Sequence, residues 1–309
     1  MTRAEVYAPG SIGNVGPGLD VLGLAVTGAG DTVIAERSDR PGVRVADPGH
    51  RDLSSDPALH ASAIAARAVL RRAGAEGDVG LTLTVRKGLP LCGGQGGSAA
   101  SAAAGAGAAN AILGGPLPPW LVVDAALESE TALAGRHADN VAPAVLGGLV
   151  LIRSLEPLEL VRVATPPALR LVLVKPAMAL STREGRVALP ATVPLATALH
   201  QAAQVAAMVA AAMSGDIAAF GRAIDDRIAE PARAPLLPGF AEAKRAAIEA
   251  GAHGCSISGS GPTAFAVCDG EPSALRVVEA MIDAYRGRGL DATARIAEVD
   301  MTGLRVTTS

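Results

Sequence analysis

Aromatic residues are nearly missing from this 309-residue chain, which has one Trp, two Tyr and three Phe. Platforms on which bases could stack are therefore absent, which argues against single-strand nucleic-acid binding. A basic excess is lacking too. Lys and Arg number 27 against 30 Asp and Glu, a formal charge of −3, so no nucleic-acid partner is expected. Cysteine is scarce: Cys92, Cys255 and Cys268 are far apart and odd in number. They suit a reducing, cytoplasmic setting better than a disulfide framework. No pair of them has metal-ligand spacing, and the five His do not cluster with them. The opening MTRAEVYAPGS lacks a charged leader followed by an apolar run, so no signal peptide is expected. The Ala-rich stretches Ala99–Leu113 and Ala202–Met213 fall short of a bilayer span, and no membrane partner is expected.

Half of the residues are hydrophobic, and the length is comfortable for two cores built from Ala, Val, Leu and Ile. Leu81–Val85 alternates apolar and polar residues, the mark of a half-buried strand. Leu149–Ile152, Leu171–Val174 and Ala264–Val267 are short apolar runs that read as buried strands, with Thr293–Val299 a weaker candidate. Helical patterns cover Ala58–Ala73, Ser98–Leu113, Pro118–Leu133, Leu195–Met213, Asp216–Ile228, Phe240–Ala250 and Ser273–Arg286. Asp56-Pro57 and Pro118-Pro119 suit first turns, and Gly74 and Gly251 suit left-handed caps. A proline-rich seam, Ala164-Thr-Pro-Pro167, predicts two α+β domains, residues 1–165 and 166–309.

The chemistry concentrates after the first of these strands. Five of the eleven residues from Gly88 to Ser98 are glycine, and a helix-forming run starts at Ala99. Glycine lets backbone amides approach a ligand closely, and the first amides of a helix have no internal partner. With the helix dipole behind them they form an anion site fit for phosphates. Ser98 stands where the helix begins, so its hydroxyl can cap the helix or bind a magnesium ion. A Walker A loop needs Gly-Lys-Ser/Thr after the glycines, whereas Lys87 precedes them. Gly94-Gln-Gly-Gly-Ser-Ala99 matches a Rossmann fingerprint, but no acidic residue ends a following strand at the required distance. No Gly-x-Ser-x-Gly elbow occurs near a strand end, which disfavours serine hydrolase chemistry.

Four stretches in order resemble one family, the GHMP kinases, and within it the homoserine kinases. They are Ala8–Gly23, Gly88–Ser101, Gly135–Ala144 followed by Gly147-Gly148, and Ser258–Thr263. The first looks like the family's Pro-x-x-x-x-Asn-x-Gly-x-Gly-x-Asp signature, and the second is similar to its phosphate loop. The resemblance implies an N-terminal domain like ribosomal protein S5 domain 2 and a ferredoxin-like C-terminal domain. It implies ATP and Mg²⁺, with γ-phosphate transfer to the hydroxyl of L-homoserine on the way to threonine. It also implies a homodimer. A related kinase for another small alcohol, and a non-catalytic sensor on the same fold, are the competing expectations.

The family roles carry over residue by residue. Pro90, Leu91, Cys92, Gly93, Gly94, Gln95, Gly96, Gly97, Ser98, Ala99 and Ser101 would meet the nucleotide, with Gly259 in the C-terminal turn. Ser98 and Glu130 would hold the metal, although Glu128 competes with Glu130 on the same helix. Asn14, Asp20, His137, Asn140, Thr182, Arg186, Arg233 and Gly259 would line the acceptor site, Asp20 taking an ammonium and the two Arg a carboxylate. Asn140 is expected to orient the hydroxyl, with adjacent Asp139 as reserve base. Read without the resemblance, Asp20 is a turn residue, Asp139 or Asn140 a helix cap, and both Arg solvated surface charges. The chain departs from the family pattern at Leu19, Gln95 and Gly97, and Ala58–Ala63 lacks the Asn that commonly meets adenine.

Overall fold

Strand-forming stretches outnumber those the apolar runs announce, because two long glycine-containing segments pair at the N-terminus. The computed structural model describes residues 1–308. β1 (Arg3–Gly13) and β2 (Leu22–Ser38) form an antiparallel pair, followed by β3 (Gly42–Asp47), α1 (Ala61–Arg72) and β4 (Gly80–Arg86). Then come α2 (Gly97–Ile112), α3 (Pro119–Leu133), α4 (Val141–Leu146), β5 (Leu149–Leu155) and β6 (Leu158–Val163). The remainder is β7 (Leu169–Pro176), α5 (Thr182–Val187), α6 (Leu195–Ser214), α7 (Ile217–Arg222), α8 (Ala229–Arg233), α9 (Phe240–Glu249), β8 (Gly254–Ile257), β9 (Ala264–Asp269), α10 (Glu271–Gly287), β10 (Ala292–Ala297) and β11 (Arg305–Thr308).

Two sheets carry this α+β architecture. The first orders its strands β11-β1-β2-β4-β3, with β5 and β6 attached through β2; the second is β10-β7-β9-β8. β11 thus returns to the first sheet after the second is complete. One core lies between the first sheet and the layer α1, α2, α3. A second joins Ile12, Leu22 and Leu24 to Leu171, Phe220 and Phe265, and so binds the two sheets into one body. A third fills the space between the second sheet, α9 and α10. Small residues bring the α1 and α2 backbones together: a Cβ on Gly105 would meet the Ser62 carbonyl oxygen at 2.3 Å. Overpacking there would cost about 1–3 kcal/mol.

Several local expectations give way to hydrogen bonding. Asp56 does not start a helix; its carboxylate accepts the Ala58 N–H in a turn, and α1 begins at Ala61. The helix expected over Asp216–Ile228 stops at Arg222, since Asp226 takes the amides of Ile228, Ala229 and Glu230 and starts a new turn there. α6 starts at Leu195, which gives a 20-residue helix long and apolar enough to cross a bilayer by length and composition, contrary to the expectation for Ala202–Met213. In the fold its inner side is packed protein: Met208 and Ala212 join the second core, and buried Gln201 donates to Pro17 O and Asp226. Leu195, Leu199 and Met213 on the same helix are exposed.

Candidate active site

The phosphate loop runs from the end of β4 into α2. Its last residue before the helix is Gly96, at φ 70°, and a Cβ there would lie 2.1 Å from Ser11 Oγ. Only glycine fits both the conformation and the approach. The first intrahelical bond is Ala100 N–H to Gly96 O, so the amides of Gly97, Ser98 and Ala99 have no backbone partner among the described residues. Ser98 is therefore not a cap: its Oγ donates to Glu130 Oε1 at 3.0 Å.

Glu130 on α3 is 4% exposed, and burial pushes its carboxyl up to about 7, against a lowering by the Ser98 hydroxyl. Its helix neighbour Glu128 is instead at the surface, paired with Arg71 and Arg72. Of the two, Glu130 alone meets Ser98. A hydroxyl beside a buried carboxylate that lacks a close protein cation, at the mouth of open amides, is a hard-oxygen donor set suited to Mg²⁺. His137 Nδ1 approaches Glu130 Oε2 at 3.9 Å, while burial lowers the His137 pKa and keeps the ring neutral near pH 7. No cluster of three or more acidic, His or Cys side chains exists among the described residues.

The candidate acceptor side draws on five segments, around Asn14, Asp139, Arg186, Arg233 and Gly259. Asn14, Val15 and Asp20 all have positive φ, at 67°, 50° and 61°, and Cys92 in the phosphate loop has 49°. These are all the non-glycine residues with positive φ among the described residues. Hydrogen bonds hold this conformation at Asn14 and Asp20, and such strain collects where chemistry is done. Asn14 is the junction: its N–H donates to Asp139 Oδ2 (3.0 Å), its Nδ2 to Gly259 O (3.2 Å), and its Oδ1 accepts from Asp20 N–H (3.1 Å). Asn140 Oδ1 accepts from Ser11 Oγ at 2.9 Å. Asp139 is 2% exposed, and its Oδ1 has no partner. Burial first, then the charges of Asp20 and Glu130, push its carboxyl up to about 7.

Asp20 and Arg186 face each other across this cluster in a bidentate pair with both distances 2.8 Å. Burial resists ionisation of Asp20, but the Arg186 hydrogen bonds outweigh it and hold the carboxyl below its ordinary value. Arg233 is no surface charge: it is 4% exposed and donates to Gly185 O (3.0 Å) and Gly259 O (2.9 Å). Thr182 stands apart, exposed on the first turn of α5. Ser101 is 3% exposed, and its hydroxyl donates to Asp31.

Sequence reasoning gave no role to four further contributors. Thr263 accepts from Gln95 Nε2 and donates to Gly93 O, stitching the loop to the C-terminal turn. Arg295 donates to Gln95 Oε1 from the other side. Asp31 and Lys87 form a buried pair beneath the loop. Lys87, directly before the glycines, was the one visible signal.

This arrangement can bind a triphosphate at the helix start, hold a divalent cation beside it, and present a small charged alcohol to the far phosphate. Family models agree. The model described as GHMP kinases N terminal domain matches residues 60–148, and that described as GHMP kinases C terminal matches residues 208–287. The fold and site define a GHMP kinase, an ATP-dependent enzyme that phosphorylates an alcohol. Homoserine kinase of Arabidopsis thaliana is 44% identical over 320 aligned residues, covering all of this chain and 86% of that one. Homoserine kinase of Chlorobium phaeobacteroides is 42% identical over 92% of each chain. The crystal structure of homoserine kinase from Cytophaga hutchinsonii superposes with a TM-score of 0.94 at 36% identity, covering 99% of this chain and 98% of that one. Within the GHMP kinases, the chain belongs to the homoserine kinase family.

Proposed function

We propose that the protein transfers the γ-phosphate of ATP to the side-chain hydroxyl of L-homoserine, giving O-phospho-L-homoserine. The observation that carries this reading is the Asp20–Arg186 pair set beside Asp139, Asn140 and the Ser98–Glu130 pair. A carboxylate and two guanidinium groups match the ammonium and carboxylate of an amino acid. The hydroxyl at the other end of that amino acid then points towards the triphosphate.

In phosphoryl transfer, positioning and charge stabilisation supply most of the rate. The amides of Gly97, Ser98 and Ala99 receive the phosphates. Ser98 and Glu130 would hold Mg²⁺, which would supply neutralisation of phosphate charge. Asp20 takes the substrate ammonium, and Arg186 and Arg233 take its carboxylate. Asn140, oriented by Ser11, steers the hydroxyl in line. Asp139 holds an unpartnered Oδ1 and a pKa of about 7, the properties of a reserve base.

This reading also has the protein as a cytoplasmic homodimer. Cys255 and Cys268 are unpaired, and burial pushes their thiols up to about 12 and about 11, so neither is set for oxidation. The exposed apolar residues of α6 offer a surface for self-association. Light scattering on the purified protein tests that point. The acceptor is tested by incubation with Mg-ATP and a panel of alcohols while ADP release is measured. Strong stimulation by homoserine is expected. Stimulation by another alcohol alone would overturn the acceptor, and nucleotide binding without turnover on any acceptor would make the protein a sensor.

A further inference from the structure

Asp31, on β2, makes no bond to the acceptor side, yet it is fully buried and accepts from four groups. Its Oδ1 takes the N–H of Gly88 (3.1 Å) and of Leu89 (3.2 Å). Its Oδ2 takes the Ser101 hydroxyl (2.7 Å) and the Lys87 ammonium. Lys87, with its side chain 7% exposed, reaches on to Gly97 O and Ser101 Oγ, both at 3.0 Å. One carboxylate therefore grips the place where the phosphate loop leaves β4. Directly and through Lys87, it also grips the first turn of α2, where the loop ends.

A buried ion pair is a poor source of stability, because desolvation cancels most of its Coulomb energy. What this pair supplies is geometry. A loop with five glycines in eleven residues has many conformations to lose, and its amides serve as an anion site only if they are held in place beforehand. Because Lys87 is neutralised by Asp31, it is not the free phosphate cation of a Walker loop. We infer that Asp31, with Lys87 as its strut, is the positioning residue of the phosphate loop. It fixes the distance between the loop's start and the open α2 amides, and so sets nucleotide affinity without touching the nucleotide. The inference rests on the reading of Gly88–Ser98 as a triphosphate cradle, but not on the identity of the acceptor.

The test is calorimetric titration with Mg-ADP, which needs no turnover, alongside steady-state kinetics and a melting temperature for each variant. Asp31→Asn keeps the shape but turns an NH₂ towards donors. It should weaken Mg-ADP binding and raise the ATP KM by about tenfold, as loss of a charge-assisted bond predicts, with the homoserine KM within about twofold. Ser101→Ala removes one arm only and should shift Mg-ADP binding in the same direction by about threefold. A folded Asp31→Asn that binds Mg-ADP like the wild type overturns the inference, as does an equal rise in both KM values. If Asp31→Asn does not fold, Ser101→Ala decides: unchanged Mg-ADP affinity overturns it, weakened affinity with unchanged homoserine KM supports it. Wild-type protein that binds Mg-ADP but ignores homoserine would sink the acceptor assignment alone, and the binding comparison would still read the loop.

Discussion

Arg186 and Asp20, 166 residues apart in sequence, close on each other with two parallel 2.8 Å bonds. In the proposed function each would be the other's stand-in for a substrate charge. An entering amino acid would then replace this internal pair with two external ones, ammonium on Asp20 and carboxylate on Arg186, and would leave no charge bare. A ligand with only one of the two charges strands a half-buried partner. The homoserine analogue without its ammonium, and the amide without its carboxylate, should each show a KM raised by about tenfold or more. Arg186→Ala should raise the homoserine KM by a similar factor of about ten and leave the ATP KM near its wild-type value. Equal KM values for zwitterion and single-charge alcohols would mean that the pair does not meet the substrate.

Metal binding gives a second prediction. Ser98→Ala and Glu130→Gln should both lower turnover, by about tenfold and about a hundredfold respectively, since a carboxylate ligand carries more of the metal's binding than a hydroxyl. The deficits should grow at limiting Mg²⁺ and shrink at saturating Mg²⁺. Wild-type rates in both variants at low Mg²⁺ would remove these two residues from the metal site.

Stability should depend on pH in a direction opposite to that of most carboxylates. Glu130 and Asp139 each rise from ordinary values of 4.5 and 3.8 to about 7 in the folded protein, chiefly through burial. The folded state binds more protons than the unfolded state between these limits. The contribution is full below about pH 4, fades as pH rises through 7, and is absent above. Metal-free protein should therefore melt lower at pH 8 than at pH 5.5, and Mg²⁺ should recover part of the loss. Glu130→Gln should raise the metal-free melting temperature at pH 8 by about 2–4 °C, while abolishing the Mg²⁺ response. An unchanged melting temperature between pH 5.5 and 8 would contradict the buried, proton-holding state.

What was legible in the sequence follows physical reach. Compact apolar runs gave β4, β5, β7 and β9, and the Ala-rich helices appeared within a few residues of their ends. β1 and β2 went unassigned although they span 11 and 17 residues. Pro9, Gly10 and Gly13 break the alternation of β1, and Gly23, Gly28 and Gly30 that of β2; pairing with distant strands, not local preference, makes them extended. α5 also went unassigned, although Ser181 and Glu184 stand at capping-box spacing. Among candidate site residues, the family resemblance drew attention to Asn14, Asp20, Ser98 and Asn140. It did not reach Asp31, and it gave no role to Thr263 within the Ser258–Thr263 stretch, because both act through bonds to groups far away in sequence. Read without the resemblance, Arg233 looked like surface charge, because its partners are carbonyls.

Gly97 stands where the family loop carries the first of its two serines. Here a side chain is affordable: a Cβ would have its nearest neighbours at 3.5 Å, Lys87 Nζ and Pro90 O, ordinary contact distances. Gly97 is also the first helical residue, with negative φ, so no conformational reason demands glycine. Gly97→Ser should fold as the wild type and gain about 0.5–1 kcal/mol by restricting the unfolded chain. Its hydroxyl would add a donor near the open amides and lower the ATP KM. Gly96→Ser, one residue earlier, should fail on both counts, because its Cβ would strike Ser11 Oγ at 2.1 Å in a left-handed conformation. The contrast between neighbours is measurable as opposite shifts in melting temperature.

Asp139 and Asn140 can be separated by what each already binds. Asp139 commits Oδ2 to the Asn14 amide and so holds the strained turn through Val15, while its Oδ1 remains unpartnered. Asn140 commits its Oδ1 to Ser11, which leaves its NH₂ as a donor. A donor orients a hydroxyl oxygen but cannot take its proton; a carboxylate with a pKa of about 7 can. Asp139→Asn keeps an oxygen for the Asn14 amide, so the turn survives and only the proton acceptor is lost. If Asp139 is the base, that variant loses about a hundredfold or more in kcat, and the acidic limb near pH 7 vanishes from its profile. If Asp139 only supports the turn, Asp139→Asn keeps kcat within about threefold and its pH profile, whereas Asn140→Ala lowers kcat by about tenfold through misorientation of the hydroxyl. The turn geometry, the buried bond to Asn14 and the Asn140–Ser11 contact favour the second outcome, and kcat measured from pH 5.5 to 8.5 in the two variants decides it.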